Sequence, residues 1–149
     1  MTNTRRSVSV LSIVGLSLLL LTGCVPGGYS VDSLSKQPEA GLTYPDSTDV
    51  HTGNSKGRVQ FGLDGGDPAS VEKTGTSTHT QAEVAAYYSQ KLNGSGWTQT
   101  MDNPDDLLES GLREHVMAWE NTKLKLAYEV DVWVEGETTR YFTQLRATR

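Results

Sequence analysis

The sequence predicts an α+β domain in which one amphipathic helix packs on an antiparallel sheet. Residues 124 to 134 alternate apolar and polar side chains, which is typical of a strand with one buried face. Residues 81 to 92 instead repeat apolar side chains every three or four positions, as a helix with one apolar stripe does. The sheet face and the helix stripe can each be buried by packing on the other, and this predicts the fold class.

The chain begins with the pattern of a secretory leader. Residues 1 to 7 contain Arg5 and Arg6 and no acid, and residues 8 to 21 are apolar or small. A basic start followed by a short apolar run is typical of a signal peptide. Since a membrane-spanning helix needs about 20 predominantly apolar residues, we expect a cleaved leader over 1–23 instead of a permanent span.

Leu21-Thr22-Gly23-Cys24 closes the apolar run and resembles the lipobox of bacterial lipoproteins. The resemblance implies that lipid, palmitate included, is attached to the thiol of Cys24 and that cleavage occurs just before it. Two acyl chains anchor firmly, because each buried CH₂ contributes about 0.8 kcal/mol. We therefore expect the mature protein on the extracytoplasmic face of the cell membrane. Cys24 is the one cysteine, so the domain has no intramolecular disulfide.

The net charge of the mature chain argues against nucleic acid as a partner. The sequence has 13 Lys and Arg against 18 Asp and Glu, a formal net charge of −5. Cleavage after residue 23 removes Arg5 and Arg6 and no acid, so the net charge becomes −7. Nucleic-acid affinity comes largely from neutralising phosphates, and the sequence has no basic cluster to do so. Lipid must therefore hold this chain to an anionic membrane.

Residues 24 to 43 are predicted to form a flexible tether. They are rich in Gly, Ser and Pro and show no sustained apolar period, so burial would not offset the entropy of ordering them. In this interpretation Tyr29, Val31 and Leu34 are solvated or loosely docked. A single domain then covers residues 44 to 149.

Two strands are predicted at the start of this domain. Residues 59 to 63 alternate apolar and polar side chains, and the Asp- and Gly-rich residues 64 to 68 form a turn after them. A weaker strand covers residues 70 to 76, where Gly and Thr reduce the signal.

The helix predicted over residues 81 to 92 has a start and a stop signal. Thr80 and Glu83 have the spacing of a capping box, and Asn93-Gly94 ends the helix. Its apolar stripe consists of Val84, Ala85, Tyr88 and Leu92.

A short strand and a short helix are predicted next. Trp97 begins a strand that ends near Met101. Residues 103 to 106 then provide an N-cap, a first-turn proline and acids, which favours a helix that Gly111 closes.

The last third of the chain predicts a three-stranded antiparallel meander. A tight turn at Asn121-Thr122 places three pairs opposite each other: Trp119 and Leu124, Met117 and Leu126, His115 and Tyr128. A second turn at Gly136-Glu137 places Val132 opposite Tyr141 and Tyr128 opposite Leu145. Both registers gather apolar side chains on one face.

Several of these motifs occur together in a known group of proteins. Tyr44-Pro45-Asp46-Ser47, the Tyr87-Tyr88 pair within the helix and Gly96-Trp97 after it resemble small uncharacterised lipoproteins of Gram-positive cell envelopes. The resemblance covers about half of the mature chain and rests on helix, turn and core positions. It implies a fold and a compartment and no activity.

The sequence contains no catalytic, cofactor or metal motif. His51, His79 and His115 are scattered, and the nucleophile elbow, the zinc-protease motif and the phosphate-binding glycine loop do not occur. We therefore expect no cofactor and no metal, and the sequence favours a non-catalytic domain. Hydrolytic sites built from distant acids leave no local motif, so that class stays open.

The outward face of the meander is the candidate interaction surface, and we define it as Trp133, Arg140 and Phe142. The predicted register places Trp133 opposite Arg140 and Asp131 opposite Phe142. One interpretation is a cation–π pair of Trp133 with Arg140, covered by another part of the chain. The other is an exposed surface that contacts a partner.

Two functions remain at this point. The first is a non-catalytic envelope module that binds a protein or envelope ligand through the face around Trp133. The second is a small ligand carrier or hydrolase with its site between helix and sheet, where a carrier needs a cavity of about 300 Å³ or more. The small number of large apolar side chains favours a solid core and hence the first function.

Overall fold

The computed structural model of the protein describes residues 28–58, 66–107 and 111–148. These residues form the following elements: α1 (Val31–Leu34), a 3₁₀ helix (Pro38–Gly41), β1 (Thr48–Ser55), β2 (Ser70–Ser77), α2 (Gln81–Leu92), β3 (Thr98–Leu107), β4 (Arg113–Asn121), β5 (Leu126–Glu135) and β6 (Thr138–Ala147). The leader, Cys24 and the predicted strand over 59–63 lie outside the described residues.

The six strands form one antiparallel sheet in the order β1-β2-β6-β5-β4-β3. The predicted meander is confirmed as β4, β5 and β6, and β3 extends it by one strand. The chain leaves β2 near one edge of the sheet and returns at β3 on the other edge. Helix α2 makes this connection and contacts the central strands β4, β5 and β6.

Helix α2 begins and ends where the sequence predicts. Thr80 Oγ1 accepts a hydrogen bond from Glu83 N at 3.3 Å, and Glu83 Oε2 accepts one from Thr80 N at 2.8 Å. This capping box satisfies amides that the first helical turn leaves free. The predicted stripe is buried: Val84, Ala85, Tyr88 and Leu92.

The β5–β6 register is confirmed. Val132 pairs with Tyr141 and Trp133 with Arg140, as the turn at Gly136-Glu137 requires. Gly136 has φ of +66°, a conformation that favours glycine and suits the first position of a tight hairpin turn.

The predicted β4–β5 register is wrong by four residues. Trp119 pairs with Tyr128 instead of Leu124, because residues 122 to 125 form a longer turn. Asn121 Oδ1 accepts a hydrogen bond from Leu124 N at 3.0 Å within this turn. Since a shift by an even number of residues keeps every side chain on its face, the predicted buried face is correct from Leu126 to Val132. It is wrong at its two ends, because Leu124 lies in the turn and Val134 is exposed.

The short helix predicted after residue 103 is wrong, because β3 continues through Leu107. The pairing of β3 with β4 is irregular between Asn103 and Asp106, and Pro104 lies in this irregular part. An edge strand tolerates proline where no ladder hydrogen bond is needed. Proline and acids also protect an edge strand from pairing with other chains, so the same residues that suggest a helix start fit an edge.

The flexible tether predicted over 24–43 is wrong for the part that the structure describes from α1 onward. Leu34 is 0% exposed and belongs to the hydrophobic core, and Ala40 is buried with it. Three side chains of the domain bond this segment: Lys73 Nζ donates to Gly41 O at 3.1 Å, Tyr87 OH to Thr43 O at 3.0 Å and Trp97 Nε1 to Glu39 Oε1 at 3.0 Å. These contacts come from residues distant in sequence, which composition cannot reveal.

The weak strand predicted over 70–76 is present as β2, and its glycine has a packing role. A Cβ on Gly75 would collide with the ring of Tyr141, which lies opposite it on β6. Glycine is therefore required here by a close approach of a neighbouring side chain.

Candidate functional site

The sheet has a covered face and an open face. The covered face includes Tyr128, Val130 and Val132 of β5, each 1% exposed or less, and packs in the same core as Leu34 and the α2 stripe. The open face consists of the alternate side chains of the same strands, and these are only partly buried. Its central members are Val116, Ala118, Glu129, Asp131, Trp133, Phe142, Gln144 and Arg146.

The candidate interaction surface lies on the open face. Trp133 and Phe142 are partly buried and Arg140 is exposed, so the structure brings the three predicted residues together. Arg140 Nε lies 2.8 Å from Glu135 Oε2 and forms an ion pair there. Among the described residues, the cation–π contact joins Lys91 and Tyr87 instead of Arg140 and Trp133.

Strands β1 and β2 enlarge this surface in a way that the sequence did not predict. Trp133 and Arg140 line a depression of about 330 Å³ together with His51 of β1 and Thr74 of β2. Thr74 pairs with Phe142, because β2 hydrogen-bonds to β6. Sequence patterns identify local hairpins, whereas the β2–β6 pair joins segments some 70 positions apart.

A second depression on the open face, which we call the acidic groove, has a volume of about 460 Å³. Its floor includes three small or branched apolar side chains: Val116, Ala118 and Ala127. Five carboxylates line it: Asp106, Glu114, Glu120, Glu129 and Asp131. Among the residues that the structure describes, Arg146 is the one cationic side chain of the lining, and its Nη2 lies 4.0 Å from Glu129 Oε2.

Asp131 is the most perturbed carboxylate of the acidic groove. Burial, and after it the negative charges of Glu129, Glu114 and Asp106, together raise the pKa of Asp131 to about 7. Burial likewise raises the pKa of Glu114, with a contribution from Asp106. Asp131 Oδ1 is buried and accepts no hydrogen bond from the described residues. The groove therefore carries carboxylates that lack compensating positive charge.

A third depression lies between α2 and the edge formed by β3 and β4. Its volume is about 370 Å³, and its lining includes Ala82, Ala85, Ser89 and His115. His115 Nε2 lies 2.6 Å from Asp102 Oδ1 on the neighbouring strand β3. Sequence analysis missed this pair because it ended the strand near Met101.

Among the described residues, the His115–Asp102 pair has no hydrogen bond to a hydroxyl side chain. A carboxylate can orient a histidine that activates a hydroxyl nucleophile. Ser89 also lines this depression, yet its Oγ donates to Met117 Sδ at 3.7 Å instead of to His115. In this arrangement the pair links β3 to β4 across the sheet edge.

The three histidines lie in different environments. His51 is on β1, His79 Nδ1 lies 3.8 Å from Glu83 Oε2, and His115 pairs with Asp102. The described residues contain no group of three or more His, Cys, Asp or Glu placed to hold a metal ion. Within the same residues, no helix is long and apolar enough to cross a membrane.

No protein-family model, curated protein or solved structure matches this chain. The proposal below therefore rests on the sequence of residues 1–24 and on the geometry of the open face.

Proposed function

We propose that the mature protein is a lipoprotein anchored by lipid on Cys24 to the extracytoplasmic face of the cell membrane. In this proposal it belongs with the small lipoproteins of Gram-positive envelopes that it resembles. We class its domain as α+β, with α2 as the single amphipathic helix that covers the sheet. The domain is a non-catalytic module, and it binds a protein partner of the envelope through Trp133, Arg140 and Phe142.

The partial exposure of Trp133 and Phe142 is the observation that carries this proposal. Both aromatic side chains lie on the open face, while the core is built on the covered face of the same strands. Exposed aromatic groups with an adjacent arginine are typical of protein interfaces, where Trp, Tyr and Arg carry much of the binding energy.

The second candidate function is a small hydrolase or ligand carrier with its site between helix and sheet. The observation that favours it is the His115–Asp102 pair beside a depression of about 370 Å³. His115→Asn would abolish such an activity. For the binding module, the same substitution leaves partner binding intact and loosens the β3 edge.

The binding proposal is tested by crosslinking in intact cells, followed by mass spectrometry of the attached proteins. Trp133→Ala with Phe142→Ala should remove the crosslinked partner and leave the melting temperature nearly unchanged, because both side chains are already partly exposed. Leu124→Ala, an exposed apolar position in the β4–β5 turn, is the matched control and should keep the partner.

Two results would contradict the binding proposal. A folded double variant that keeps every crosslinked partner removes the interface role. A double variant that melts early instead assigns Trp133 and Phe142 to the stability of the domain.

The anchor is tested separately by metabolic labelling with a fatty-acid probe. The Cys24→Ser variant should not take up the label, and it should keep residues 1–23. It should also no longer be found in the detergent-soluble membrane fraction. Equal labelling of the wild type and of Cys24→Ser would show that the thiol is not the acceptor.

A further inference from the structure

The acidic groove is continuous with the candidate interaction surface. Asp131 lines the groove, and it pairs across the β5–β6 hairpin with Phe142 of the surface. Trp133 follows Asp131 by two positions on the same face of β5. A partner that contacts the two aromatic side chains therefore also reaches the groove.

The lining of the groove fits a long cationic side chain. Lysine and arginine pack their methylene stems on apolar surface and keep their charged ends in polar surroundings. The floor at Val116, Ala118 and Ala127 provides the apolar part. The carboxylates at Glu114 and Asp131 provide the charged part.

Within the part of the chain that the structure describes, the carboxylates of the groove outnumber the cationic side chains that line it. Five carboxylates face one arginine, and Arg146 is engaged by Glu129 at 4.0 Å. Arg140 of the candidate interaction surface is paired with Glu135, and Arg113 of β4 is paired with Asp105. Asp131 Oδ1 is buried without a donor, and a guanidinium or ammonium group provides N–H donors.

Charge argues against two other occupants, and the placement of the carboxylates argues against a third. An anionic membrane surface and a second copy of this acidic chain would both be repelled. The described carboxylates are not placed as a metal site. We infer that the acidic groove receives an arginine or lysine side chain from a basic segment of the envelope protein partner. This inference rests on the proposed function and names the chemistry of its partner.

Binding should depend on pH in a defined direction. Asp131 is faced by Asp106 of β3, Glu114 of β4 and Glu129 of its own strand. Since the pKa of Asp131 is raised to about 7, a cation must displace a proton near neutral pH, and binding should strengthen from about pH 6 to about pH 8. A merely diffuse attraction to the acidic chain would not show this step at Asp131.

The probe is a glycine-spaced peptide with three arginines, and its control is the same peptide with citrulline, which is neutral and similar in shape. In titration calorimetry, the full mature protein should bind the arginine peptide and should not bind the citrulline peptide. Asp131→Asn with Glu114→Gln should weaken that binding about tenfold or more and remove the pH step. Glu137→Gln, which removes one of the same kind of charge from the exposed β5–β6 turn outside the groove, should leave the affinity almost unchanged.

Three outcomes would overturn the inference: no binding of the arginine peptide, equal binding of the citrulline peptide, or equal affinity of the wild type and the groove variant. Melting temperatures verify that each variant is folded. A different result would contradict the proposed function, namely that the folded Trp133→Ala, Phe142→Ala variant keeps its crosslinked partners. If that variant loses its partners and the groove variant binds normally, the interface stands and the basic segment is wrong.

Discussion

The covered and the open face of the sheet are made by the same strands and differ in almost every physical property. On β5, Val130 and Val132 are 0% exposed, while Glu129 and Asp131 between and beside them are partly exposed and negatively charged. On the covered face, the ring of Tyr141 contacts the ring of Tyr88 of α2, with 5.8 Å between the centroids. The difference teaches that backbone alternation assigns a side chain to a face, and that the packing of α1 and α2 decides which face becomes core.

The difference also separates stability from recognition. Apolar burial contributes about 25 cal/mol per Å², so the covered face supplies most of the stabilising free energy. The open face instead keeps charges that cost free energy without a partner, such as the carboxylate of Asp131. A carboxyl group without a partner is retained more readily at a binding surface than in a core.

A charge placed on the covered face should have the largest effect. Val84→Asp puts an unpaired carboxylate at a position that is 0% exposed, which should lower the free energy of unfolding by about 3 to 5 kcal/mol. Ala86→Asp, on the exposed side of α2, is the matched control and should cost under about 1 kcal/mol. Urea titration measures both, and similar losses would mean that α2 does not bury one face.

Leu34→Ala tests whether the covered face extends to α1. Leu34 is 0% exposed in the core, so its truncation should lower the free energy of unfolding by about 2 to 4 kcal/mol. Val31→Ala, at a partly exposed position in the same helix, should cost clearly less. A flexible tether would tolerate both changes. An unchanged melting temperature for Leu34→Ala would therefore contradict the packing of α1 on the core.

The smallest effect concerns the open face. Because the pKa of Asp131 is raised to about 7, its neutral form stabilises the folded state at low pH, and this contribution is lost as the pH rises through about 7. The free energy of unfolding should fall by about 1 to 2 kcal/mol between about pH 5 and about pH 8, after allowance for the solvent that screens this partly exposed group. Asp131→Asn should remove that fall, and Glu137→Gln should preserve it. A wild-type stability that rises over this range would contradict the burial of Asp131.

Local patterns were sufficient wherever the information lies within one element or one tight turn. The capping box of Thr80 and Glu83 marks α2 correctly. The turn at Gly136-Glu137 fixes the β5–β6 register, and with it the position of Trp133 opposite Arg140. Each of these features depends on residues within about ten positions of one another.

The wrong predictions concern features that depend on residues far apart in sequence. Pro104 and its neighbouring acids suit a helix start as well as an edge strand, and only pairing with β4 selects the strand. The burial of Leu34 depends on a core built from residues far along the chain. The His115–Asp102 pair requires β3 to continue beyond Met101, so no local signal could have found it.

The sequence by itself determined the alternation that separates core from surface and the capped helix, and it predicts a leader with lipid on Cys24. These follow from periodicity, capping chemistry and the order of charged and apolar residues, all of which are local. The tertiary structure decided that β2 pairs with β6, that α1 covers the core and that carboxylates from three strands meet in one groove. The physical reason is that burial and electrostatic coupling depend on distance in space. Residues far apart in sequence come close together only when the strands pair into the sheet.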